Sequence, residues 1–416
     1  MDSDDLDTTA LRRILRITRK LSVPIDLDTM LTSVIDSARE VLDADRGTVF
    51  LYDAAAHELY SKVATEVKEI RFSADQGIAG ECARTRAMVN VPDCYADPRF
   101  NPAIDKQTGY RTRCLLTIPL IGHEDELVGV LQLLNKRDGV FEARDEHIAE
   151  ALAAQCAVAL QRASFLEDRL LREKLQSDLA LARDIQRRVL PHAMPELAGY
   201  DFAGWSGPAE ETGGDIYDAM AMGDDTVALL LGDATGHGIG PALSVTQVRA
   251  MFRMAVRLSA DLDDLFNHVN NQLVEDLAAN RFVTAFVGVL DAQRHQVRYH
   301  AAGQAPLLHF HVASRTCKLL PASTVPMGVM KDPPTNPPAP IDLGPGDVLA
   351  LITDGLFEHP DPEHQQFSKE RAIQVIWEAI DEPMPVVVER LLAAIREFAR
   401  GAAQDDDMTI LLVKRR

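Results

Sequence analysis

Several aspartates in the second half of the chain stand at the ends of apolar runs or at a tight turn. Asp215 follows two glycines, while Asp233 and Asp354 each end an apolar run. Asp406 and Asp407 open the last apolar run. Glycine beside the first three acids lets the backbone approach another group closely. Because a carboxylate at the mouth of a buried strand is costly unless it meets a cation, these acids are candidate metal ligands.

Carboxylates that converge in space repel one another, which raises their pKa values and works against folding. Hard divalent cations remove this penalty, since oxygen ligands are the ones that Mg²⁺ and Mn²⁺ prefer. Two such ions can activate water for in-line attack on a phosphoryl group and stabilise the leaving oxygen. A single aspartate in this setting is more often a turn residue or a helix cap. Together the acids predict a two-metal site that needs no Cys, Ser or His nucleophile.

The acids belong to a series of short motifs that occur in a family order. Residues 196–416 resemble the PPM-type phosphatases of the SpoIIE branch, bacterial phosphatases that regulate sigma-factor switches. The motifs are ARDIQ at 182–186 with LP at 190–191, GGDIYD at 213–218, GDATGHG at 232–238, FVTAF at 282–286, TDG at 353–355 and DDMT at 406–409. The resemblance implies a PPM-type α/β/β/α sandwich that hydrolyses phosphoserine or phosphothreonine.

The same resemblance implies the site residues. It makes Asp215, Asp233 and Asp354 catalytic metal ligands, together with one of two further acids. Asp406, the first acid of its motif, is favoured over Asp407. Ala234 stands where the family usually has a glycine whose carbonyl reaches one metal, and an alanine carbonyl serves equally. The implied cofactors are two ions of Mn²⁺ or Mg²⁺.

The first half of the chain resembles a different family. Residues 25–165 resemble GAF domains, specifically those of cyclic-nucleotide phosphodiesterases and cyclases, through the segments 75–80, 91–101, 105–112 and 131–136. The cyclic-nucleotide GAF signature is met by Asn135, Lys136, Phe141, Asp145 and Glu146. The resemblance implies an antiparallel sheet with helices and a pocket for cAMP or cGMP, which the signature residues mostly support without touching the ligand. A GAF domain used only for dimerisation, or one that binds another small molecule, remains an alternative.

A helical segment joins the two halves. From residue 142 to 189 there is no Pro and no Gly, and good helix formers dominate, which predicts one long helix. An apolar seam with 3/4 spacing, interrupted by Asp178, favours a parallel coiled-coil homodimer over a solvated helix packed on its own domain. The seam residues are Leu171, Leu175, Ala182, Ile185 and Val189.

The predicted fold class is α/β and α+β in two domains plus connections. The predicted boundaries are 1–24 for an N-terminal helix, 25–165 for the GAF domain, 166–195 for the coiled-coil-like linker and 196–416 for the phosphatase domain. Within the last, apolar runs predict strands at 227–231, 284–290, 296–300, 348–352 and 409–413, and helical periodicity predicts helices at 240–258, 262–278, 369–380 and 385–400.

Composition restricts the partners and the compartment. The formal net charge is -20 over 416 residues, so nucleic acid and anionic membrane surfaces are disfavoured. The five cysteines are scattered with no C-x-x-C pair, the first residues are acidic, and no apolar run approaches the ~18 residues of a membrane span. These features predict a cytoplasmic protein.

The sequence as a whole predicts a metal-dependent protein serine/threonine phosphatase regulated through its GAF domain. The expected substrate is a phosphorylated STAS-type anti-sigma factor antagonist or a similar phosphoprotein. The alternative is a catalytically weak regulator that sequesters such a partner, against which the intact acids argue. A cyclic-nucleotide phosphodiesterase is disfavoured because the adjacent His-Asp metal pair of that catalytic domain is missing.

Overall fold

A computed structural model describes Arg19 and residues 26–61, 70–278, 280–334 and 337–416. The predicted N-terminal helix at 1–24 therefore lies, apart from Arg19, outside the described residues. The chain divides into two compact units, Met1–Lys174 and Leu175–Arg416.

The first unit is built on one antiparallel sheet. Its six strands run in the order β3-β2-β1-β6-β5-β4. The strands are β1 (Ala44–Asp53), β2 (Glu58–Ser61), β3 (Ile70–Ser73), β4 (Val89–Val91), β5 (Leu115–Ile121) and β6 (Leu127–Lys136). The helices are α1 (Leu27–Leu42), α2 (Gly77–Thr85) and α3 (Ala103–Thr108), with a 3₁₀ turn at Cys94–Ala96. The predicted GAF-type sheet with helices is confirmed.

A single helix of 47 residues, α4 (Ala143–Val189), follows the sheet. Its first turns bury Ile148, Leu152 and Leu160 in the same core as α1. Beyond Ala163 most of its large apolar side chains are exposed, Leu171 to 56%, whereas Val189 is half-buried against the core of the second unit. The absence of Pro and Gly thus gives the uninterrupted helix that the sequence predicts.

The second unit contains two five-stranded antiparallel sheets, in the orders β14-β11-β10-β9-β8 and β13-β12-β15-β16-β7. The strands of the first are β8 (Asp215–Ala221), β9 (Thr226–Ala234), β10 (Val283–Asp291), β11 (Gln296–Ala302) and β14 (Ile341–Asp342). Those of the second are β7 (Tyr200–Gly207), β12 (Leu307–His311), β13 (Thr316–Leu320), β15 (Val348–Ile352) and β16 (Met408–Arg415).

Helices cover the outer faces of the two sheets. Apolar side chains such as Leu231 and Leu351 fill the space between the sheets. The helices α5 (Ile239–Arg257) and α6 (Leu262–Asp276) pack on the first sheet. On the second sheet pack α7 (Asp354–Glu358), α8 (Lys369–Glu378) and α9 (Met384–Ala399). This is the predicted α/β/β/α sandwich.

A buried ion pair fixes β8 against α5. Asp218 is fully buried, and its carboxylate accepts hydrogen bonds from Arg253 Nε at 2.6 Å and Nη2 at 2.9 Å. Arg249 Nε lies 2.8 Å from the same carboxylate. Because a buried charge is tolerated only when it is paired, this contact orients the strand that begins with Asp215.

The structure also bears on the predictions about membrane-spanning helices and about the cysteines. No helix among them combines the length and the apolar character that crossing a bilayer requires. All five cysteines are free thiols, and four of them are buried.

Candidate active site

Strand pairing brings the predicted acids to one end of the sandwich. In the antiparallel pair β8–β9, Asp215 and Asp233 are directly facing partners. In the other sheet, β15 ends just before Asp354, and β16, its antiparallel neighbour, begins just after Asp406. Thr353 joins the two sheets, because its Oγ1 donates a hydrogen bond to Asp215 Oδ2 at 2.8 Å.

The environment of these carboxylates disfavours their charged form. Burial and the neighbouring charge of Asp233 hold the pKa of Asp215 well above its ordinary value. Burial, followed by the charges of Asp354 and Asp406, raises the pKa of Asp233 to about 7. The pKa of Asp406 is also raised, because its carboxyl group is partly shielded from water although the residue as a whole is exposed. Over the described ranges none of these acids forms a salt bridge, so their negative charge is uncompensated.

The two consecutive acids at the start of β16 have different surroundings. Asp407 is buried, and its carboxylate accepts hydrogen bonds from the backbone N–H of Ala209 at 2.7 Å and from that of Gly214. Asp406 is exposed; its Oδ1 accepts from the Asp407 N–H at 2.8 Å, and its Oδ2 has no hydrogen bond within the described part of the chain. Asp407 therefore braces the turn before β8, while Asp406 keeps an oxygen for a ligand.

The glycines beside the acids allow close backbone packing. A Cβ at Gly214 would lie 2.8 Å from the carbonyl oxygen of Ala234. A Cβ at Gly213 would lie 2.8 Å from Asp407 Oδ2, and one at Gly355 would overlap the Asp407 carbonyl oxygen. The Ala234 carbonyl therefore lies against the turn that leads into Asp215.

Two contacts to the site were not predicted from the sequence. Thr353 Oγ1 accepts from the Thr409 N–H at 2.8 Å in addition to donating to Asp215. Gln186, near the end of α4, donates from Nε2 to the Gly213 carbonyl at 2.6 Å and accepts from the Gly213 N–H at 3.1 Å. The long helix thus holds the backbone two residues before Asp215.

The donor set suits hard divalent cations. All its ligand atoms are carboxylate or carbonyl oxygens, which Mg²⁺ and Mn²⁺ prefer. No three of the described carboxylates bring one oxygen each within 4.8 Å of one another.

The first unit contains a separate cavity of about 300 Å³. Its walls include aromatic rings, two arginines, a carboxylate and three amides, among them Phe50, Phe72, Arg46, Arg99, Asp105 and Gln132. The Arg46 guanidinium lies 4.0 Å from the centroid of the Tyr110 ring. Gly77 and Ile78, the first residues of α2, also line it. Such a cavity, walled largely by aromatic and apolar side chains, suits a flat ring.

The GAF signature residues lie outside the walls of this cavity. Asn135 Oδ1 accepts from the Arg113 N–H at 2.6 Å, and its Nδ2 donates to the Tyr110 hydroxyl at 2.9 Å. Lys136 forms a salt bridge with Asp145 at the start of α4. These contacts brace the cavity-lining segment and anchor the long helix.

The remaining signature residues are also structural. Phe141 is buried in the core of the unit. Glu146 Oε1 accepts a hydrogen bond from Asn90 Nδ2 at 2.7 Å. The sequence motif thus identified residues that support the cavity from outside its walls. The residues that line the cavity come from several strands and loops, so no regular spacing in the sequence reveals them.

Comparison with known families divides the chain in the same way. A model described as GAF domain matches residues 26–160. A model described as Stage II sporulation protein E (SpoIIE) matches residues 223–416. The second match includes Asp233, Asp354 and Asp406 but begins after Asp215, which β8 nevertheless places opposite Asp233.

Individual relatives match parts of the chain. It is 33% identical over 171 residues, 38% of this chain and 23% of the relative, to a probable 3',5'-cyclic phosphodiesterase of Caenorhabditis elegans. It is also 31% identical over 182 residues to a cGMP-specific 3',5'-cyclic phosphodiesterase of Drosophila pseudoobscura pseudoobscura. That match covers 39% of this chain and 16% of the relative. The SiaA-PP2C domain of Pseudomonas aeruginosa shares the fold of the second unit, with 23% identity, a TM-score of 0.52, and coverage of 59% of this chain and 98% of that domain.

The uncompensated charge predicts an unusual pH dependence of stability in the presence of a chelator. Because the folded state favours protonated Asp233, the stabilisation from this group is present below the unfolded pKa of ~4. It is lost as the pH rises through about 7. Asp233→Asn should therefore raise the free energy of unfolding by about 1 kcal/mol or more at pH 8, and by less at pH 5.

Urea unfolding followed by tryptophan fluorescence measures this difference, since both tryptophans, Trp205 and Trp377, lie in the second unit. Asp224→Asn, which removes an exposed carboxylate, is the matched control and should change little. An Asp233→Asn chain that is less stable than wild type at pH 8 in chelator would contradict the assigned repulsion.

Proposed function

We propose that the chain, in which a GAF domain model and a SpoIIE model match successive segments, is a protein serine/threonine phosphatase that removes phosphate from a partner protein with two divalent cations. The observation that carries this proposal is the gathering of four uncompensated carboxylates at one end of the sandwich. Asp215, Asp233, Asp354 and Asp406 would hold the ions, together with the Ala234 carbonyl. We assign 196–416 to this domain, since β7 and β8 complete its two sheets.

The residues around the acids hold them in place. Mn²⁺ or Mg²⁺, when bound, supplies the positive charge that offsets the carboxylates and promotes attack of water on phosphorus. Thr353 orients Asp215 through its hydroxyl, and Asp407 orients the turn through two backbone N–H groups. At the mouth of the site, His237 Nδ1 lies 3.1 Å from Glu210 Oε1, and both side chains are exposed. The preorganised acids therefore need little rearrangement to accept cations.

We propose a phosphorylated STAS-type anti-sigma factor antagonist, or a similar phosphoprotein, as the substrate. The SpoIIE family match supports this class of partner. The alternative, a catalytically weak regulator that sequesters its partner, is disfavoured because every proposed carboxylate ligand is present. Cytoplasmic location stays a prediction from composition.

The contrast between the two consecutive acids gives a sharp test. Asp406→Asn removes a proposed ligand and should lower kcat on a chromogenic phosphate ester, with Mn²⁺ present, by about 100-fold or more. It should leave urea unfolding unchanged or more resistant. Asp407→Asn should instead lower the free energy of unfolding by about 1–3 kcal/mol, because its amide group cannot accept from both backbone donors.

Asp405→Asn, an exposed neighbour, is the control for local charge. Near-wild-type turnover by Asp406→Asn, or full activity in excess chelator, would refute the ligand assignment.

We propose that a cyclic nucleotide, cAMP or cGMP, occupies the GAF cavity and changes the phosphatase rate. The relatives named as cyclic phosphodiesterases and the aromatic rings in the cavity wall support this class of ligand. The helix α4 runs without a break from the Lys136–Asp145 salt bridge to Gln186, which holds Gly213. A ligand that favours one position of this helix by ~1–3 kcal/mol would alter the geometry of the acids.

Gln132 supplies the test of the ligand. It lies in the cavity wall on β6, with its Nε2 3.3 Å from Thr117 Oγ1. Gln132→Met keeps the side-chain length and removes the amide, so it should weaken nucleotide binding by about 10-fold, measured by calorimetry with cAMP and cGMP.

Glu124→Gln, on an exposed turn, should leave the affinity unchanged. If neither nucleotide binds below the millimolar range, the cyclic-nucleotide assignment is wrong.

We also propose that the chain forms a homodimer along α4. In this arrangement residues 25–165 form the GAF domain and residues 166–195 form the linker. Leu171, Leu175 and Ile185 are 56%, 54% and 56% exposed, which is unusual for large apolar side chains on one helix. Their 3/4 spacing suits a parallel coiled coil.

Leu171→Glu with Leu175→Glu should convert the dimer to a monomer at micromolar concentration, because it places four carboxylates in the seam. Light scattering on the full chain measures the mass. Gln176→Glu, a change outside the seam, is the control and should stay dimeric. A monomeric wild-type chain would contradict the proposal.

A further inference from the structure

Two histidines and an aspartate meet on the second sheet, away from the phosphatase acids. His309 and His311 alternate on β12, so their side chains project from the same face. Asp347 directly precedes β15, the antiparallel neighbour of β12, in which Leu349 pairs with His309. The pairing of β12 and β15 therefore brings together three potential ligands that lie far apart in sequence.

The distances among them match the cage of a single ion. His309 Nε2 lies 3.6 Å from Asp347 Oδ2, and His311 Nδ1 lies 3.2 Å from the same oxygen. One ligand atom from each residue lies within 4.8 Å of the others, the one such group among the described residues. Tetrahedral zinc with bonds of ~2.0–2.1 Å holds its ligand atoms about 3.4 Å apart.

The two ring nitrogens nearest to Asp347 form no hydrogen bond with any described residue. His309 Nε2 and His311 Nδ1 are buried atoms without a hydrogen-bond partner among the described residues. The side chain of His309 is 7% exposed, so bulk water does not replace the missing partner of its Nε2. Buried polar atoms left unpaired in this way are costly, and a bound cation would remove the cost.

The aspartate is already oriented for such a role. Asp347 is fully buried, its Oδ1 accepts from the Val312 N–H at 2.8 Å, and its Oδ2 accepts from the Gly344 N–H at 2.9 Å. Hydrogen bonds of this kind fix a ligating carboxylate. Lys318, the cross-strand partner of His309, is exposed and forms no salt bridge with Asp347 among the described residues.

We propose that His309, His311 and Asp347 bind one Zn²⁺ ion, with a water molecule as the fourth ligand. Two imidazoles and one carboxylate form a donor set that zinc accepts and that Mg²⁺ does not favour. The side chain of His311 is 33% exposed, which gives the ion a route to the site. The ion would join β12 to the turn before β15 and stabilise the pairing of these two strands at this end of the sheet.

The proposed zinc site is separate from the phosphatase acids. Asp347 precedes β15 and Asp354 follows it, with the five residues of the strand between them. At about 3.3 Å per residue, this puts the two sites ~16 Å or more apart along the strand. Loss of zinc binding can therefore be told apart from loss of the phosphatase cations.

The proposal is tested by titrating the full chain with Zn²⁺ in excess Mg²⁺ and measuring the binding by calorimetry. Wild type should bind one tight equivalent of Zn²⁺, and its urea midpoint should rise when zinc is added. His311→Gln should weaken that equivalent by at least about 100-fold, since even the loss of an outer-shell partner costs 10–100-fold. His192→Gln, which removes an exposed histidine, should behave as wild type.

A second measurement does not depend on a variant that folds. Co²⁺ added to the wild-type chain should give the intense visible absorption of a tetrahedral site, and one equivalent of Zn²⁺ should abolish it. The proposal would be overturned if cobalt gave no more than the weak absorption of a six-coordinate ion. Equal zinc affinity in wild type and His311→Gln would also overturn it.

Discussion

The mutual repulsion of carboxylates at the open end of the phosphatase sandwich is the constraint on which the rest of this domain depends. Asp215 and Asp233 face each other across two paired strands, and Asp354 and Asp406 add their charges from the second sheet. Such a cluster tends to push the strand ends apart, so other contacts must hold them. The Asp218–arginine ion pair on β8, the Thr353 hydroxyl and the Asp407 carboxylate all act in this way. The domain thus keeps its acids in position before any cation arrives.

The same arrangement explains how a remote signal could reach the acids. The turn before Asp215 is held by Asp407 from one side and by Gln186 of α4 from the other. A small movement of that helix would change the balance between these contacts. At its other end, α4 is anchored by the Lys136–Asp145 salt bridge beside the GAF cavity. Under the proposed regulation, the GAF signature would tie the pocket to the helix, and the cavity wall would select the ligand.

Sequence patterns revealed the acids because each ends or begins an apolar run that became a buried strand. They did not reveal β8, whose sequence DIYDAMA mixes polar and apolar residues, or β13, whose residues are mostly exposed. The role of Asp407 was also hidden, since only the folded turn shows which backbone N–H groups its carboxylate meets. His309 and His311 have the spacing of one strand face, but Asp347 joins them only through the pairing of β12 with β15. Long-range pairing of this kind leaves no local signal in the chain.

The central claim is that the carboxylate cluster holds two divalent cations. The most direct measurement is a titration of the full chain with Mn²⁺, in which free Mn²⁺ is followed by electron paramagnetic resonance. His311→Gln is the background to use, so that the proposed zinc site does not contribute. The account predicts two bound Mn²⁺ per chain at neutral pH and fewer than two after Asp233→Asn. A chain that binds no Mn²⁺, or that binds the same number with and without Asp233, would contradict it.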